Sequence, residues 1–81
     1  MLSVDEILSE FQAQKKAAGR FAGRLERAAE AIDNGKIDLD LADALDRHAI
    51  HLERRGKPEV RFVLALIDAA QLLRSGDELA G

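Results

Sequence analysis

Apolar side chains cover more than half of the circumference of segment 60–73 when it is wound as an α-helix at about 100° per residue. Val60, Val63, Leu64, Ile67 and Ala70 make one face. Phe62, Leu66, Ala69 and Leu73 make a second, and Leu72 lies beyond both. A helix on the surface of a small bundle needs an apolar stripe little wider than about 100°. This segment must therefore be surrounded, by the rest of its own chain or by another chain. The chain has only 81 residues and no Cys. Neither a disulfide nor a thiolate zinc site can reinforce a core of this size, so packing and oligomerisation are what is left.

The rest of the sequence is also helical in pattern, and the expected fold is all-α. Ser3-Val4-Asp5-Glu6 has the spacing of a capping box. Val4, Phe11, Ala18, Leu25 and Ile32 recur every seven residues, and Asn34-Gly35 is a C-terminal stop. These features predict one long helix over 3–33, with a break near Gly19 as the alternative. Gly19 and Gly23 each cost about 1 kcal/mol relative to Ala inside a helix, which points to a break or a close backbone approach there. A second helix over 39–55 carries the stripe Leu41, Ala42, Leu45, Ala49 and Leu52, capped by Asp38 or Asp40. A third runs over 58–74, with Pro58 in its first turn and Ser75-Gly76 as its stop. Residues 77–81 are expected to fray.

Short connections make neighbouring helices antiparallel. The expected architecture is a single domain over 1–81: a three-helix antiparallel bundle in which the second and third helices form a hairpin against the long first one. Each hairpin helix is roughly 25 Å long and cannot cover a first helix of roughly 45 Å. Two arrangements satisfy the surplus apolar surface. The last helix is central and wrapped by the first, or it meets its own copy across a two-fold axis. The second gives a homodimer joined through Phe62, Leu66, Ala69 and Leu73.

Net charge is −3, but the charges are segregated along the chain. Lys16, Arg20, Arg24 and Arg27 share one helical face opposite the apolar seam. Such a face contacts an acidic protein surface or phosphates. Alternatively, it is a solvated face whose charges pair with Glu26 and Glu30 and, across the turn at 34–38, with Asp43 and Asp46. A second basic cluster comprises Arg47, His48, His51, Arg54 and Arg55, continuing into Lys57 and Arg61. Its location at the junction of the second and third helices makes it the nucleic-acid candidate. No aromatic interleaves it for base stacking, and the following helix is too apolar to read a groove.

Other chemistries find little support. His48 and His51 have helical spacing, but zinc needs three or four ligands and the neighbours are cationic. Those cations disfavour protonation of both histidines. The hydroxyls Ser3, Ser9 and Ser75 sit near the two ends, far from either histidine, and no phosphate-cradling glycine loop is present. No cofactor, metal, small-molecule substrate or enzymatic activity is inferred. No apolar run reaches the roughly 20 residues of a membrane span, and the acidic start is unlike a signal peptide. A cytoplasmic location is expected.

The sequence thus points to a small protein–protein interaction module (an adaptor, inhibitor or regulatory subunit). It would bind itself and another protein through the second face of the last helix and the face of Lys16, Arg20, Arg24 and Arg27. The alternative is a nucleic-acid-associated regulator using Arg47, His51, Arg54, Arg55, Lys57 and Arg61.

Overall fold

The computed structural model describes residues 1–56 and 59–76. These residues form four α-helices and no strand: α1 (Val4–Gln14), α2 (Ala22–Asp33), α3 (Leu39–Arg54) and α4 (Val60–Ser75). A single 3₁₀ turn over Gly19–Phe21 leads into α2. The expected places of Lys57 and Pro58, and the expected fraying of 77–81, lie outside the described residues.

The start of α1 follows the capping-box expectation. The Ser3 hydroxyl accepts from the Glu6 backbone N–H at 3.2 Å, and the Ser3 N–H donates to Glu6 Oε1 at 2.9 Å. Its end departs from the helix expected over 3–33. α1 stops at Gln14, and Gly19 adopts φ +57°. That left-handed conformation costs roughly 1–2 kcal/mol for a residue with a Cβ, so glycine is what allows the chain to turn here. Gly23 stays helical within α2, and a Cβ built on either glycine meets nothing within 4 Å. The pair therefore marks a break at Gly19 and not a close backbone approach.

The break lets α2 fold back beside α1, with Lys15 meeting Glu26 at 3.0 Å. Phe11 on α1 and Leu25 and Ile32 on α2 keep the phase of the seven-residue repeat and enter one core. α2 closes on Gly35, at φ +66°, with paired bonds from Gly35 N–H to Ile32 O and from Lys36 N–H to Ala31 O. α3 starts at Asp38, whose Oδ1 accepts from Leu41 N–H at 3.0 Å. The Asp38 N–H in turn donates to Leu73 O at 2.9 Å, so the α2–α3 connection also satisfies a carbonyl near the end of α4.

α4 is the central helix. Phe62, Val63, Ala65, Leu66, Asp68, Ala69, Ala70 and Leu73 are all buried, and α1, α2 and α3 each pack on it. This corrects the expectation that Phe62, Leu66, Ala69 and Leu73 present a free face: all four are core residues. The reason is the break at Gly19. It divides the expected first helix into α1 and α2, which both pack on α4. Phe11 meets Phe62 edge-on at 6.3 Å, Arg61 pairs with Glu6 at 2.8 Å and Glu10 at 3.2 Å, and Leu2 N–H donates to Asp68 Oδ2 at 2.8 Å. Val60 and Leu64 are the large apolar side chains that α4 leaves exposed.

Candidate functional site

α2 and α3 are consecutive, yet they scarcely touch each other; both pack on α4. A groove lies between them. One part of it, about 510 Å³, is lined by Arg24 and Arg27 from α2 and by Asp38, Asp40, Leu41, Ala44 and Arg47. An adjoining part, about 300 Å³, is lined by Phe21, Arg24, Ala44, Arg47 and His48. The two parts share Arg24, Ala44 and Arg47, so the groove is continuous. Ala44 lines both parts.

The helical period explains this placement. Positions seven apart on α3 differ by only about 20° around the axis, so Asp40, Arg47 and Arg54 project on one side. Leu41, Leu45 and Ala49 point into the core from the opposite side. On α2 the buried set is Leu25, Ala28 and Ile32, which turns Arg24 and Arg27 outward.

The electrostatics of the groove follow from where the carboxylates go. Asp43 and Asp46 bind Arg74 at 2.9 Å and 2.6 Å, and Glu26 binds Lys15. The pairing of Arg24 and Arg27 with Asp43 and Asp46 does not form. The side of α3 that bears the two aspartates faces the end of α4, where Arg74 sits. Among the described residues, Arg20, Arg24, Arg27, Arg47, Arg54 and Arg55 form no ion pair with a carboxylate.

The Arg24 guanidinium lies 5.8 Å from the centre of the Phe21 ring, within the range of a cation–π attraction. The other neighbour of Phe21 is His48, stacked at 3.9 Å with an angle of 11° between the rings. Partial burial holds the His48 pKa below its ordinary value, with the charges of His51 and Arg55 adding to the effect. Burial is the larger cause, and the neighbouring cations, evident from the sequence, are the smaller one.

The two basic clusters read from the sequence are therefore cut and rejoined. Arg24 and Arg27 of the first and Arg47 of the second line one groove. Lys16 is exposed in the turn between α1 and the 3₁₀ turn, and Arg20 is exposed within the 3₁₀ turn itself. His51, Arg54 and Arg55 are exposed at the far end of α3. Arg61 is withdrawn from its cluster by Glu6 and Glu10, and Lys57 lies outside the described residues. Phe21 and Ala44 were not anticipated as parts of a site. The one sequence signal for Phe21 was its place beside the glycine pair.

No described group of three or more His, Asp or Glu side chains is arranged to hold a metal ion, and no described helix is long and apolar enough to cross a membrane. Comparison with family models, curated proteins and solved structures found no match.

Proposed function

We propose that this chain is a small protein–protein interaction module, a binding protein and not a catalyst. Its working surface is the groove between α2 and α3, and its partner presents an acidic segment. One observation carries the reading: Arg24, Arg27 and Arg47 gather around a groove without described ion-pair partners, while Glu26, Asp43 and Asp46 are engaged by Lys15 and Arg74. Like charges held together at a surface repel one another, and an incoming anion relieves that repulsion while steering the encounter. Self-association through Phe62, Leu66, Ala69 and Leu73 has lost its basis, because those side chains fill the core.

A nucleic-acid partner is the second reading. The exposed positions of His51, Arg54 and Arg55 extend the basic surface along α3 and favour it. Asp38 and Asp40 within the groove and the diversion of Arg61 weigh against a uniformly anionic phosphate chain.

Titration of isotope-labelled protein with a glutamate-rich helical peptide, and separately with a single-stranded oligonucleotide of the same charge, tests the two. At physiological ionic strength the peptide is expected to shift the resonances of Arg24, Arg27, Ala44, Arg47 and His48. Binding of the oligonucleotide alone, with an affinity that falls steeply as salt rises, contradicts the protein-partner reading.

A further inference from the structure

The groove is not uniformly basic, and the order of its charges specifies more than an acidic partner. Asp38 is occupied, since its carboxylate caps α3 through Leu41 N–H. Asp40 is exposed in the first turn of α3 and pairs with no described cation. Arg47 stands seven residues further along the same helix face, about 10 Å away at 1.5 Å per residue. Arg24 and Arg27 form the opposite wall. A ligand lying along the groove thus meets two carboxylates at the end near the α2–α3 turn, of which Asp40 is the one not engaged as a cap, and three cations around and beyond them.

We propose that the groove binds a helical segment of another protein that bears carboxylates toward Arg24, Arg27 and Arg47 and, two turns away, a lysine or arginine toward Asp40. This rests on the protein-partner reading above and adds its register. A helical ligand shares the rise of α3, so side chains seven residues apart on it match Asp40 and Arg47. The Asp40 position also acts against wrong partners, because a segment acidic along its whole length places like charges together there. A phosphodiester chain and a uniformly acidic peptide both meet this penalty, and each binds less tightly than a segment with a cation at that place.

A charge-swap cycle tests the register. Two synthetic helical peptides carry a central pair of glutamates and differ only seven residues to either side, where one has lysines and the other has glutamates. Using both sides makes the comparison independent of binding direction. Affinities are measured for the wild type, Asp40→Lys and Asp40→Asn, with a circular-dichroism melt confirming that each variant is folded. Asp40→Lys is expected to move the preference from the lysine peptide toward the glutamate peptide by roughly fivefold, and Asp40→Asn by about half as much on a logarithmic scale. An unchanged preference in both variants overturns the proposed register. If Arg24→Glu/Arg47→Glu abolishes binding of both peptides in that case, the groove still stands as the binding surface. If that double variant binds both peptides as the wild type does, the groove itself is wrong and the register falls with it.

Discussion

The imidazole of His48 stacks on the ring of Phe21 at 3.9 Å, almost parallel to it. The contact ties the 3₁₀ turn, where the chain has just left its break, to the middle of α3. It therefore closes the bundle at one end of the groove, and the same ring carries the Arg24 guanidinium. Phe62 approaches His48 edge-on from α4 at 6.3 Å, so three elements meet at this imidazole. Removing the ring should be felt in both stability and binding. Phe21→Ala is expected to lower unfolding stability by about 3 kcal/mol, measured by urea denaturation. A loss under about 1 kcal/mol would show that the stack is not part of the core.

Acid should weaken the fold through His48. Its pKa in the folded chain lies below the ordinary 6.5, mainly through burial. The unfolded chain therefore binds the proton more readily. Stability is full above about pH 6.5 and declines as the pH falls through that value toward the folded pKa. Urea midpoints measured from pH 8 to pH 5 should show this fall in the wild type. His48→Phe keeps an aromatic partner for Phe21 and has nothing to titrate, so the decline through pH 6.5 should flatten. An equal decline in both proteins would assign the effect elsewhere. Glu6 contributes separately and lower: the Ser3 backbone N–H, and then Arg61, hold its pKa down, so its contribution is lost only as the pH drops below about 4.5.

The two glycines beside the break should respond in opposite directions. Gly19 has φ +57° with open space around it, so Gly19→Ala should destabilise by about 1 kcal/mol through backbone strain alone. Gly23 is helical and equally uncrowded, so Gly23→Ala should stabilise by up to about 1 kcal/mol. Thermal melts of the two single variants check this. Stabilisation by both would mean that α1 and α2 form a continuous helix in solution.

Leu66 is completely buried at the centre of α4. Leu66→Ala should cost about 2–5 kcal/mol, a large share of what a domain this small has to lose. A dimer interface on this face would give a different signature, a stability that depends on protein concentration. The unfolding midpoint is expected to be independent of concentration for the wild type and lower, but equally independent, for Leu66→Ala.

Much of this architecture was legible in the chain, because caps and apolar spacing are local. Ser3 with Glu6, Asp38, Asn34-Gly35 and Gly76 all act where their chemistry predicts. The break was the difficult point. Val4, Phe11, Ala18, Leu25 and Ile32 repeat identically in one straight helix and in two helices folded back, so only Gly19 distinguished them. The apolar reach of α4 was legible at Phe62, Leu66, Ala69 and Leu73, but Val60 and Leu64 stay exposed while Asp68 is buried. The groove was still less accessible. Whether Arg24 and Arg27 met Asp43 and Asp46 turned on which side of α3 faced α4, and Arg74, some thirty residues away, had the better position. Local periodicity gives the face of a residue on its own helix; it does not give the neighbour that face will meet.

Arg24 and Arg47 are proposed to bind an anionic protein segment from opposite walls of one groove. This is tested by the affinity of a helical peptide with a central pair of glutamates and lysines seven residues to either side for the wild type and for Arg24→Glu/Arg47→Glu, at physiological ionic strength, with both proteins shown to be folded. Replacing two attractive charges by two repulsive ones should weaken binding by at least about tenfold. Equal affinity in the two proteins would contradict the account.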